Sequence, residues 1–136
     1  MVLPGVQALF GFQLIAVFNA GFTNKLTRPE QLSHLAAILC VVVSVALLMA
    51  PAAIHRHREP YSVSTAFISL SSALLRAGMA PLAAGTTIDV YLVARVLTEG
   101  IFGGALAAVV CASVFVGLWV VLPVRAKLPR DEDSPR

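Results

Sequence analysis

The residues whose types invite chemistry are few. The most apolar stretches hold Gln7, Gln13 and Asn19 in the first, and Asp89 and Arg95 in the third. An ionisable group inside an apolar run is a functional candidate by default, because its charge is expensive to hold in lipid. Asp89 is thus the candidate for ion or proton handling. The simpler assignment is structural pairing: Lys25 or Arg28 is expected on the same side as Asp89, and Arg95 and Glu99 stand four apart on one helix face. Gln7, Gln13 and Asn19 recur at steps of six, which advance about 240° each on a helix. They point in three directions and make no continuous stripe lining a pore. Hydrogen bonds between helices are their expected role, each worth about 0.6–2 kcal/mol.

Other chemistries find no inventory. No G-x-S-x-G, H-E-x-x-H or phosphate-binding loop occurs, so no catalytic site, cofactor or metal is expected. His34 opens an apolar run that His55 and His57 close about 30 Å away. No other run carries a histidine, so one chain cannot place two at one depth to hold haem. The H-R-H-R stretch, His55 to Arg58, is expected to meet headgroups. Cys40 and Cys111 stand singly in apolar runs, where thiols pack as small residues. Two classes of small four-helix membrane protein also fail. The first run lacks the acidic residue of small multidrug exporters, and the cysteines are not paired as in thiol-oxidising proteins.

The elements that position these residues follow from composition. Of 136 residues, 58% are hydrophobic and 12% charged, against about 25% charged in soluble domains. So small a chain has too little interior to bury that apolar surface in water. The net charge of +3 comes from basic residues between and after the apolar runs, the placement of topology signals and not of a nucleic-acid surface.

The expected fold is an all-α integral membrane bundle of four transmembrane helices. They cover residues 3–22, 35–54, 74–93 and 101–124, with a charged tail over 125–136. The first run lacks Lys or Arg ahead of it and exceeds a signal-peptide core, so it is expected to be retained. Thr27 or Ser33 is expected to cap the second helix. The third is the ambiguous one. Tyr61 to Glu99 is twice as long as a bilayer needs; a span over 74–93 lets Arg76 snorkel and sets Asp89 near the far interface. Ser62 to Ser72 then becomes a surface lead-in. Trp119 suits the interface belt.

Helix association in lipid relies on small residues. Gly104, Ala108 and Ala112 form such a stripe in the last helix, Ala73 and Ala77 belong to one in the third, and Ala36, Cys40 and Ser44 to one in the second. Four crossings put Arg56, Arg58, Arg76, Arg125, Lys127, Arg130 and Arg136 on one side and Lys25, Arg28 and Arg95 on the other. That asymmetry places both termini in the cytoplasm.

The landmarks resemble a family of small uncharacterised bacterial membrane proteins, frequent in actinobacteria. It is marked by a V-Q-x-L-F-x-F start, here Val6 to Phe12. An A-P-x-x-x-H-R close to the second helix, here Ala50 to Arg56, and an L-W-x-x-L-P ending, here Leu118 to Pro123, complete it. Asp89 is similar to an acidic residue that family places late in the third helix. Its members begin with a polar helical lead-in that this chain lacks, so the native start is expected upstream of Met1 or the lead-in is lost. The resemblance implies topology and no activity. The expected function is that of a non-enzymatic accessory or scaffold subunit in a bacterial inner membrane, partnered by lipid, other membrane subunits or copies of itself. The alternative is a small oligomeric transporter or channel using Asp89 and the polar residues of the first helix.

Overall fold

The computed structural model describes residues 3–58 and 64–126. All the regular structure among them is helical. Helix α1 (Leu3–Val17) leads through Phe18 and Asn19 to a short α2 (Ala20–Lys25), and then come α3 (Arg28–Arg58) and α4 (Thr65–Thr98). Helix α5 (Ile101–Val116) passes through a π-helical turn, Gly117–Val121, into α6 (Leu122–Arg125). Three stretches are long and apolar enough to cross a membrane: Arg28–His57, Thr65–Thr98 and Ile101–Arg125.

The first apolar run does not remain one helix over 3–22. The amides of Phe18 and Asn19 bond to the carbonyls of Ile15 and Ala16, a tightening of the last turn. The Asn19 carboxamide then accepts from the Gly21 amide at 2.9 Å. Asparagine competes for local backbone groups in this way, and so it ends one helix and caps the next. Helix α1 is left with 15 residues, about 22 Å of rise.

Helix α3 starts at a cap formed by Thr27, not Ser33. Glu30 Oε2 accepts from the Thr27 amide at 2.8 Å and from its hydroxyl at 2.7 Å, the backward half of a capping box. The Ser33 hydroxyl instead bonds to the Pro29 carbonyl. The surface lead-in expected ahead of the third span joins it. Ser64 Oγ accepts from the Phe67 amide at 3.1 Å, and one 34-residue helix runs on, about 51 Å long. It passes through Pro81, which leaves the Ala77 carbonyl without its helical donor. Ser62 lies outside the described residues, as do residues 127–136 of the tail. Near the end of the last helix Pro123 removes a donor, and the wider turn absorbs the mismatch: the Leu122 amide bonds to Gly117, five residues back.

The extensive helix contacts among the described residues are α3 with α4, α4 with α5, and α1 with α3. The α3–α4 seam is the core. Glu30, His34, Ala37, Val41 and Ser44 are buried on α3 at steps of three and four, and Gly78, Gly85 and Leu92 are buried on α4 at steps of seven. That period of 3.5 is the coiled-coil repeat. A Cβ at Gly85 would lie 2.9 Å from the Ala37 carbonyl oxygen, and one at Gly78 would lie 3.3 Å from Leu47 and Leu48. Backbones approach this closely only where glycine stands. Of the small-residue stripe expected on α4, Ala73 and Ala77 are exposed, and the contact runs through Gly85, its last member, and Gly78. Helix α5 meets α4 at Gly104, where a Cβ would lie 2.9 Å from Arg95 Cβ and 3.0 Å from the Tyr91 carbonyl oxygen. Ala108 and Ala112, on the same face, are half-buried.

Candidate polar site at the turn end

One end of the molecule collects the α1–α2 turn, the start of α3 and the α4–α5 turn. Two polar layers cross the α3–α4 seam there. In the outer layer Arg95 Nε pairs with Glu30 Oε1, whose other oxygen holds Thr27. One turn deeper, His34 Nδ1 lies 3.0 Å from Asp89 Oδ1. Gln13 Nε2 donates to Asp89 Oδ2, and His34 Nε2 lies 3.1 Å from the Gln13 backbone carbonyl. Three helices thus meet on one buried cluster. Farther along the seam the Ser44 hydroxyl donates to the Gly78 carbonyl at 2.8 Å, and toward the other end the His55 ring packs on Phe67 with centroids 5.4 Å apart.

The histidine's protonation is constrained by its neighbours. A carbonyl oxygen only accepts, so Nε2 must carry a proton. Nδ1 faces a carboxylate oxygen, and one proton serves that contact. It resides on the imidazole, giving an ion pair, or on the carboxyl, giving a neutral pair. Either way the pair is electrically neutral overall. The Gln13 carboxamide is oriented by the same logic: an ionised carboxylate accepts only, so the NH2 group turns to Asp89. That leaves Gln13 Oε1 buried and without a partner, a deficit of about 1–3 kcal/mol.

The cluster forms the inner end of a cleft of about 630 Å³ between α1–α2 and α4. Leu9, Phe12, Phe22, Leu92, Val93 and Val96 contribute apolar walls, and Lys25 stands among its lining residues. The Phe22 ring meets the His34 ring edge-on, with centroids 5.3 Å apart. The Asp89 side chain keeps 17% of its exposure and that of His34 keeps 8%, so the carboxylate is the more accessible of the pair.

The sequence candidates are distributed unevenly over this site. Gln13 and Asp89 are brought together, while Asn19 lines the cleft and caps α2. Gln7 is exposed on the far side of α1. Arg95 pairs with Glu30, not with Glu99: Glu99 has left the helix in a left-handed conformation at φ 52°. Asp89 pairs with His34, not with Lys25 or Arg28, because it faces inward across the seam and both cations are exposed. His34 and Glu30 were the residues missed. The signal for both was their position on the 3.5-residue seam of α3. Among the described residues no three His, Cys, Asp or Glu side chains converge as metal ligands do.

Residues 1–123 match the model of a family of unknown function, DUF6328. The chain belongs to this family. Within DUF6328 the matched stretch takes in Gln13, Glu30, His34, Asp89 and Arg95 together, and so includes both polar layers. No curated protein and no solved structure matches the chain.

Proposed function

We propose that the protein is a non-enzymatic accessory subunit of a bacterial cell membrane, with four crossings and both termini cytoplasmic. It works by binding, either within a larger membrane complex or as a homo-oligomer. The observation that carries this reading is the closed seam beyond the polar layers. Ala37, Val41 and Ser44 have no exposed surface, and Gly78 and Gly85 leave no space for a further atom. One chain offers no water-filled path along that seam. Its bonded ionisable side chains gather at one end among the described residues, where the cleft meets the Gln13–His34–Asp89 cluster.

The basic residues support the orientation. Arg56, Arg76 and Arg125 belong to the end opposite the cleft or to the helix halves leading there, and the sequence adds Arg58, Lys127, Arg130 and Arg136 to that side. Under four crossings α1 and α2 together form the first, reaching the surface beside the cleft. Extraction in a mild detergent, followed by mass measurement of the purified assembly, tests the subunit reading. A stoichiometric assembly of fixed mass is expected. A lone monomer, persisting in bilayer nanodiscs, removes it.

A second reading, an oligomeric ion or solute transporter, draws support from the buried Asp89 carboxylate and its two polar partners. Its path would have to be completed by another copy. Proton or solute flux in proteoliposomes that disappears in Asp89→Asn favours transport over the accessory role.

A further inference from the structure

The geometry points to the cleft as a binding site for a lipophilic organic cation, a protonated amine or onium with apolar substituents, that competes with the proton shared by His34 and Asp89. The inference deepens the binding reading above by naming a ligand class. It starts from what the cleft offers. Its volume of about 630 Å³ falls within the range of drug-sized sites, and the apolar part of its lining is aliphatic apart from Phe12 and Phe22. Phenylalanine faces attract cations through the ring quadrupole.

The inner end is rich in acceptors. Asp89 uses one oxygen for His34 and the other for Gln13, and a carboxylate has about four lone-pair positions. Half of its accepting capacity remains. Gln13 Oε1 is buried and unpartnered, and Gln13, a residue only 4% exposed, lines the cleft. A cation here meets a carboxylate and a carboxamide oxygen, with Phe12 and Phe22 in the walls and Lys25 as the cationic residue of the lining.

Charge then sets the coupling. The pair with its one proton is neutral, and a cation arriving in a low-dielectric cleft leaves an uncompensated positive charge. Release of the Nδ1 proton restores neutrality while Nε2–H keeps its bond to the Gln13 carbonyl. One cation is bound and one H⁺ leaves through the cleft mouth to water. The other charged groups facing this exchange are few. Helix α1 carries none, and α2 contributes Lys25 at the cleft. Glu30 of α3 and Arg95 of α4 are tied to each other, and α5 has no charged residue.

The test is equilibrium binding of tetraphenylphosphonium to the full chain in nanodiscs, with tetraphenylborate as the charge-reversed probe. Expected are micromolar phosphonium binding and no borate binding. Affinity should rise with pH by up to about tenfold per unit wherever the shared proton is the one displaced. A pH indicator in weak buffer should register one proton released per cation. Asp89→Asn should weaken binding at least tenfold. His34→Gln should retain binding and lose its pH dependence. Val93→Trp, which fills the cleft from an exposed wall position, should abolish binding without altering helicity or melting, so that loss of site and loss of fold are told apart. Equal binding of phosphonium and borate, or binding indifferent to Val93→Trp, overturns the proposal. So does the absence of phosphonium binding by a folded wild-type chain, whatever mass its assembly has.

Discussion

His34 sits between two acceptors from two different helices, Asp89 of α4 at 3.0 Å and the Gln13 carbonyl of α1 at 3.1 Å. It is the only side chain of α3 bonded to both neighbours at once among the described residues. Removing one member leaves the other with its Gln13 contact alone, so the energetic coupling between them is measurable. A double-mutant cycle of His34→Ala and Asp89→Ala, read by unfolding in mixed micelles, should give a coupling of about 0.6–1.7 kcal/mol, the range of hydrogen bonds between membrane helices. Strict additivity would mean that the contact contributes nothing.

The outer layer responds differently to its two ends. Glu30 holds Arg95 and also caps α3 through Thr27, whereas Arg95 makes the ion pair alone. Glu30→Ala should therefore cost more than Arg95→Ala, by about 1 kcal/mol for the lost cap. The same unfolding measurement decides the order, and equal losses would refute the dual role of Glu30.

Glycines on the two sides of the molecule should behave in opposite ways. A methyl at Gly85 meets the Ala37 carbonyl oxygen at 2.9 Å, so Gly85→Ala should destabilise by about 1–3 kcal/mol. Nothing stands within 4 Å of a methyl at Gly11. Gly11→Ala should be neutral or stabilising by about 0.4–1 kcal/mol. Thermal melts of both variants in one detergent provide the comparison.

Topology yields to cysteine accessibility. In a chain with Cys40 and Cys111 replaced by serine, a cysteine at Ala126 should resist a membrane-impermeant maleimide in whole cells and react after lysis. One at Asn24 should react in whole cells. The reverse labelling pattern would invert the orientation, and labelling of both sites in intact cells would break the four-crossing count.

The apolar runs made helices legible because each is continuous and needs no knowledge of neighbours. What a single run cannot reveal is how two helices are aligned. His34 and Asp89 lie 55 residues apart, and their meeting depends on an antiparallel register set by Gly78 and Gly85. Arg95 and Glu99 satisfied a local spacing rule, but the turn into α5 takes Glu99 out of the helix. Asn19 was read as one more polar residue of a span, although its preference for local backbone groups is what divides that span. The stripe read on α4 at steps of four, from Ser69 through Ala73 and Ala77 to Gly85, meets the α3 contact at Gly85, because the seam itself repeats at 3.5 and drifts off a strict step of four.

The two polar layers also work as an alignment key during assembly. The close contacts of Gly78 and Gly85 already favour one alignment of the seam. The charged groups penalise the neighbouring alignments further. A slip of roughly one turn in one direction sets Asp89 against Glu30, and a slip in the other brings Arg95 toward His34, each a like-charge or unpaired encounter in a medium with little screening. In the native alignment alone, acid meets base in both layers. The hairpin of α3 and α4 thereby carries its own vernier, readable before α1 or α5 has docked.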